Sequence, residues 1–210
     1  MIKLAYCNIE NLDLKKAYKL VSKDRQEKID FYRFDKDKKL SCGAYLLLKK
    51  LLSDENITDP LFETGEYGKA YISNHENIHF NLSHSGKIVL CAISDMEVGA
   101  DVEYIDPEID LDIAKNYFYN EEYASIMKSD NPGEEFFKYW VLKESYMKYT
   151  GLGMNLELDS FEIINEDTIR LKDDKKNLKF NLFNIKNYKI GTASHYDVSE
   201  LIEVNVNELY

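Results

Sequence analysis

The chain has 210 residues, 44% of them apolar and 13% aromatic, which is enough to bury a core as one compact domain or as two small halves, and it excludes a disordered chain. The formal net charge of -11 argues against a general nucleic-acid binder, because the cations that would neutralise phosphates are not in surplus. That charge is uneven: residues 1–52 hold 13 Lys and Arg against 7 Asp and Glu, and residues 53–210 hold 14 against 31. A basic first quarter suits either an anionic small molecule or a plain Lys-faced surface helix.

Cys7, Cys42 and Cys91 lie in apolar contexts without the spacing of a zinc site, which predicts a reducing, cytoplasmic setting. No run approaches 18 apolar residues, and MIKLAYCNIE is too short and polar for a signal peptide, so the expectation is a protein without a membrane.

DFYRFDKDKKLSCGAYLLLKKLL, residues 30–52, carries helical spacing with Leu40, Tyr45, Leu47, Leu48, Leu51 and Leu52 on its buried side. NIHFNLSHSGKIVLCAIS, 77–94, reads as a hairpin turning at 84–87 around Gly86. A strand follows in EVGADVEYI, 97–105. Helices are predicted over 110–127 and 134–150, separated by KSDNPG, and strands over 161–196 divided by EDT, KDDKKN and IKN.

The strand at 97–105 poses a chemical question. Period two puts Val98, Ala100, Val102 and Tyr104 on one face and Gly99, Asp101 and Glu103 on the other. Two carboxylates then stand roughly 6.6 Å apart and repel by about 2.5 kcal/mol at an effective dielectric near 20. A solvated edge face tolerates this, and a cation offsets it. On the helix at 134–150, Trp140, Glu144 and Lys148 are spaced i, i+4, i+8 and share one face, as a surface ion pair or as part of a site. If Glu144 meets Asp101 and Glu103, three hard oxygen donors suit Mg²⁺ completed by phosphate oxygens. Ser83 and His84 suit a phosphate-gripping turn or a hydrogen-bonded turn histidine better than a hydrolase pair, since no GxSxG elbow exists.

The chain also repeats. NIHFNL at 77–82 recurs as NLKFNL at 177–182, KIVLCAIS at 87–94 resembles KIGTASH at 189–195, and YLLLKK at 45–50 aligns with YWVLKE at 139–144. Helix-then-hairpin twice predicts an α+β fold of two similar halves related by pseudo-twofold symmetry, 1–104 and 105–210, with the active site in the cleft between them.

Taken in order, GADVE (99–103), WVLKESYMKYTG (140–151), NLSHS (81–85) and EYGKA (66–70) resemble the hallmark strings of the Sfp-type 4'-phosphopantetheinyl transferases. The resemblance implies Mg²⁺-dependent transfer of the 4'-phosphopantetheine arm of coenzyme A to a serine of an apo acyl or peptidyl carrier protein, releasing adenosine 3',5'-bisphosphate. By position, Asp101, Glu103 and Glu144 would hold the metal, with Glu144 also assisting deprotonation of the serine and Lys148 contacting the pyrophosphate. Ser83 and His84 would hold the 3'-phosphate region, and Tyr67, Gly68, Lys69 and Ala70 would line the adenine site. Arg25, Lys28 and Lys39 would sit near the coenzyme's phosphates, and 105–123, with Ile109, Leu111 and Ile113, would form part of the carrier's landing surface. A monomer is expected, since a duplicated chain completes its own site.

Three departures stand out. Lys39 replaces a usual Arg, exchanging a bidentate fork for a point charge; Ala70 replaces a usual Pro; Ala100 replaces a bulkier aliphatic residue. The competing readings are a Mg²⁺-dependent coenzyme A or nucleotide hydrolase and a non-catalytic carrier-binding module.

Overall fold

The computed structural model describes residues 2–210. Its strands are β1 (Ile2–Asn8), β2 (Phe62–Thr64), β3 (Ala70–Ile72), β4 (His79–Ser85), β5 (Ile88–Ser94), β6 (Val98–Tyr104), β7 (Ile163–Asn165), β8 (Ile169–Leu171), β9 (Lys179–Ile185), β10 (Tyr188–Ser194) and β11 (Leu201–Glu203). Its α-helices are α1 (Leu14–Leu20), α2 (Lys23–Asp30), α3 (Asp35–Asp54), α4 (Asp112–Tyr117), α5 (Asn120–Lys128) and α6 (Pro132–Thr150).

The long helices obey local chemistry. α3 buries all six residues that the spacing assigns to its inner side, but it starts at Asp35 because Phe34 is extended (φ -106°, ψ 140°). α6 is capped by the Asn131 side chain, has Pro132 in its first turn, and ends where Gly151 adopts φ 75° and donates its N–H to the Met147 carbonyl. The helix predicted over 110–127 is broken: Phe118 is buried and extended, and α5 restarts with the Glu122 carboxylate accepting the Tyr119 N–H at 3.0 Å.

Two main sheets carry the fold, with orders β11-β1-β5-β4 and β6-β10-β9. They face each other across Leu4, Ile88, Leu90 and Ala92 on one side and Val98, Ala100, Val102 and Ile190 on the other. α3 covers the outer face of the first sheet, through Val89, Cys91 and Ile93, and α6 covers the outer face of the second. The layers therefore run helix, sheet, sheet, helix. β5 is buried at every residue because both of its faces are covered.

The repeat is visible in this architecture. β4–β5 and β9–β10 correspond at a constant offset of 100 residues, and Gly86 and Lys186 hold the same turn position with φ of 57° and 49°. The KI-to-KI match at 87 and 189 is thus displaced by two residues, an even slip that preserves which face each side chain takes. β1 pairs antiparallel with β5 just as β6 pairs with β10. Through those registers Ala5 and Cys7 correspond to Asp101 and Glu103, so only one half carries the carboxylates. The expected division after residue 104 counts β6 with the N-terminal half; its backbone hydrogen bonds go to β10, in the sheet of the C-terminal half. Among the described residues no helix is long and apolar enough to cross a membrane.

Candidate active site

β6 lies at the edge of its sheet, and its free side meets β4. The contact is made by side chains. Asn81 Oδ1 accepts from the Ala100 N–H at 2.9 Å, Ser83 Oγ from Val102 at 3.4 Å and Ser85 Oγ from Tyr104 at 3.0 Å. Both serines reach further, with Ser83 donating to Asp101 Oδ1 and Ser85 to Glu103 Oε2, each at 2.7 Å. The predicted turn at 84–87 is therefore shorter than expected. β4 continues through Ser85, and only Gly86 and Lys87 turn.

α6 closes the other side of the site, and two glycines let it come close. A Cβ on Gly99 would stand 1.9 Å from the Ser145 carbonyl oxygen and 2.4 Å from the Tyr149 nitrogen; one on Gly191, beside Asp101, would stand 2.5 Å from the Val141 oxygen. Backbone packed on sheet in this way carries Glu144 and Lys148 to the carboxylates of β6. The Lys148 ammonium lies 2.6 Å from Asp101 Oδ1 and donates to Ser83 Oγ at 3.0 Å. Trp140, on the same helix face, stacks on Phe118 and Phe136.

Like charges crowd here. Burial, then the Asp101 charge, pushes the Glu103 carboxyl up to about 7. Glu144 is raised for the same two reasons in the same order. Asp101 is 2% exposed, and its Oδ2 has no hydrogen-bond partner among the described residues. An orphaned carboxylate oxygen beside two carboxylates that resist ionisation fits a divalent cation. The three carboxylates do not form a ready-made metal cluster: among the described residues no group of three or more potential ligands is so arranged. A cation would have to draw them together with oxygens from substrate.

Toward the start of β4 and β6, two adjoining cavities of about 650 and 300 Å³ share Arg25, Ala70 and Phe80. They bring together most of the residues expected at a coenzyme site: Arg25, Lys28, Tyr67, Gly68, Lys69, Ala70 and Lys148. The Arg25 guanidinium lies over the Tyr45 ring at 5.1 Å and has no ion-pair partner among the described residues, while burial lowers its pKa. An unpaired, half-buried cation on a cavity wall is a natural anion contact. Gly68 turns its loop at φ 88°, a conformation closed to most residues.

Four expected residues sit differently. The Lys69 ammonium is held by Glu97 at 2.5 Å and by the Tyr149 carbonyl at 3.2 Å, clamping the loop to the end of α6. Ser83 is buried against Asp101 and Lys148 and does not present a phosphate-gripping turn. His84, on the opposite face of β4 from Ser83, is exposed at its edge, and desolvation of the ring holds its pKa below the ordinary value. Lys39 donates to the Glu10 carbonyl at 3.2 Å and lines a separate cavity with Tyr104 and Tyr188. On the expected landing surface, Ile109, Leu111 and Ile113 are half-buried against the aromatic core around α6.

Sequence reasoning passed over Asn81, Ser85 and Gly191, and also the buried pair Lys143–Glu122. Lys143 donates to Glu122 at 2.8 Å and to the Phe161 carbonyl at 2.8 Å, and Glu122 accepts from the Ile163 N–H at 2.7 Å. The pair locks α5 and the segment before β7 to α6. The signal for the β4 row was present as polar residues at every second position of NLSHS.

Residues 97–193 match the 4'-phosphopantetheinyl transferase superfamily, and residues 9–96 match the 4'-phosphopantetheinyl transferase N-terminal family. The chain is 39% identical to the 4'-phosphopantetheinyl transferase gsp of Aneurinibacillus migulanus over 74% of this chain and 68% of that protein. It is 31% identical to the 4'-phosphopantetheinyl transferase Sfp of Bacillus subtilis (strain 168) over 86% and 85%. The solved holo-[acyl-carrier-protein] synthase (AcpS) of Thermotoga maritima aligns with a TM-score of 0.41 and 17% identity, covering 47% of this chain and 61% of that one. The chain belongs to the 4'-phosphopantetheinyl transferase superfamily.

Proposed function

We propose that this protein transfers the 4'-phosphopantetheine arm of coenzyme A to a serine hydroxyl of an apo acyl or peptidyl carrier protein. The observation that carries the reading is the Asp101–Lys148 pair at the seam of the two halves, with Glu103 and Glu144 in its field, beside cavities walled by Arg25 and Lys28. Serine oxygen forms a bond to the β-phosphorus, the bond to the bridging oxygen breaks, and adenosine 3',5'-bisphosphate leaves.

Asp101, Glu103 and Glu144 would hold Mg²⁺, which when bound neutralises charge on the pyrophosphate oxygens. Lys148 adds a fixed ammonium beside them, and Arg25 and Lys28 supply cations for the coenzyme's other phosphates. Glu144 would take the serine proton directly or through a water. The nucleophile arrives with the partner, so the chain needs no activated serine or cysteine of its own; its three cysteines are buried free thiols. Those thiols support a reducing, cytoplasmic setting, and both halves of the site come from one chain, which supports a monomer.

The test is incubation with coenzyme A, Mg²⁺ and a panel of apo carriers, followed by intact mass. The expected result is a gain of one phosphopantetheine arm with wild type and a loss of at least about a hundredfold in rate for Glu144→Ala, the size typical of an acid–base group. Binding of coenzyme without transfer to any carrier would overturn the reading in favour of a binding module, and release of adenosine bisphosphate without a carrier would favour a hydrolase.

A further inference from the structure

We propose that Glu97 is a positioning residue for the coenzyme site, holding the loop at 65–69 through Lys69 in the shape that walls the smaller cavity; this rests on the coenzyme reading above. The loop joins β2 to β3. Its Gly65 N–H donates to the Lys69 carbonyl at 2.9 Å and its Gly68 N–H to the Gly65 carbonyl at 3.0 Å, with Gly68 at φ 88°. Tyr67, Gly68 and Lys69 line the cavity together with Lys148, Gly151 and Gly153. Gly65, Glu66, Tyr67 and Gly68 are all exposed, and within the loop Lys69 alone is partly buried. With no buried apolar side chain to seat it, the loop's position against the cavity depends on what holds Lys69.

The Lys69 side chain runs across the C-terminal end of α6. A Cβ on Gly151 would lie 3.3 Å from Lys69 Cδ, and the ammonium donates to the Tyr149 carbonyl at 3.2 Å, one of the last-turn carbonyls that the helix itself leaves without a donor. The Val98 carbonyl lies at 3.5 Å. Glu97 Oε2 is nearest, at 2.5 Å, and Glu97 is the ammonium's one carboxylate partner among the described residues. Its other oxygen, Oε1, lies 3.1 Å from His79 Nδ1 at the start of β4. Glu97 therefore fixes Lys69 from the turn before β6 while being fixed itself from β4. The charge-assisted bond is the strong one of the three, and ordering a lysine costs rotamer entropy that two neutral carbonyls offset poorly. Without the Glu97 charge the loop keeps its turn bonds and loses its seat, so the cavity wall is no longer formed before the ligand arrives.

Glu97→Gln tests this, keeping the size of the side chain and removing its charge. Because the Glu97 side chain is 47% exposed, the expected effect is modest: calorimetry should show coenzyme A and adenosine 3',5'-bisphosphate binding about fivefold more weakly. With an apo carrier that wild type modifies, KM for coenzyme A should rise alike, while kcat and the carrier KM stay within about twofold of wild type. Adding Ala70→Pro should restore affinity to within about twofold, since proline fixes φ at the loop's exit. Ala70 is the first residue of β3 and pairs with Thr64 next to the hydrogen-bonded Gly65–Lys69 pair, so the ladder does not use its N–H. Hydrogen exchange gives a readout independent of the proline variant: protection of the Gly65 amide should fall in Glu97→Gln. Wild-type affinity in Glu97→Gln would overturn the assignment, and so would tighter binding, because Glu97 would then be competing with the coenzyme for Lys69. Weaker binding with unchanged Gly65 protection and no rescue by proline would overturn it too, in favour of a purely electrostatic effect. If wild type itself does not bind coenzyme A, the coenzyme reading fails and takes this role of Glu97 with it.

Discussion

At the scale of single residues, the site is a problem of like charges held together. Asp101 pairs with the Lys148 ammonium, Glu103 and Glu144 lie within the field of both charges, and two serines from the neighbouring half orient Asp101 and Glu103. Burial and the Asp101 charge lift the Glu103 carboxyl to about 7, so its ionisation opposes folding. A carboxyl whose pKa is higher folded than unfolded favours the fold fully at pH below its unfolded value of about 4.3, and that contribution is lost as pH rises through about 7. In cation-free protein, Glu103→Gln should therefore be no more stable than wild type near pH 4 and more stable at pH 8, by about 3 kcal/mol. Thermal melts of the two proteins at both pH values check this; a gap that shrinks toward pH 8 would contradict it. Mg²⁺ at pH 8 should raise the Tm of wild type more than that of the variant.

At the scale of elements, α6 supplies half of the site, and its placement depends on residues that carry no chemistry. Gly99 and Gly191 admit its backbone, and Lys143–Glu122 fastens it to α5. Gly99→Ala drives a methyl into the Ser145 carbonyl and the Tyr149 nitrogen, backbone atoms that cannot step aside individually. A loss of about 3 kcal/mol is expected in urea unfolding, with transfer falling more than tenfold because Glu144 and Lys148 move together. Wild-type stability in that variant would show that the helix sits further from the sheet. The break between α4 and α5 belongs to the same scale. Residues 110–127 read as one helix because periodicity is local, whereas Glu122, which restarts α5, answers to Lys143 across 21 residues.

At the scale of the whole molecule, two similar halves meet with different chemistry. The places of Asp101 and Glu103 are taken by Ala5 and Cys7 in the other half, so the pseudo-twofold arrangement carries a single site. The halves are joined by an inner apolar core and by the Asn81, Ser83 and Ser85 row, which satisfies the open edge of β6. Asn81→Ala leaves the buried Ala100 N–H without its acceptor and should cost about 1 to 2 kcal/mol. Denaturant unfolding measures the cost, and protection of the Ala100 amide from hydrogen exchange should fall with it. Retained protection would mean that another acceptor had replaced Asn81.

Much of this was legible in one dimension. Apolar period gave α3 and its buried side, Pro-Gly punctuation gave α6, and the repeat gave two halves, because each of these signals is set by the order of residues along the chain. The chemistry-bearing strings GADVE and WVLKESYMKYTG also stood out, and Asp101 of the first pairs with Lys148 of the second. What the tertiary structure decided were the relations between distant segments: that β6 pairs with β10, that Ser83 serves Asp101, that Lys69 clamps the end of α6, and that Lys39 lines the cavity beside Tyr104. A lysine's ammonium or a serine's hydroxyl goes to whichever partner packing brings within about 3 Å, and that distance is fixed only when the layers close.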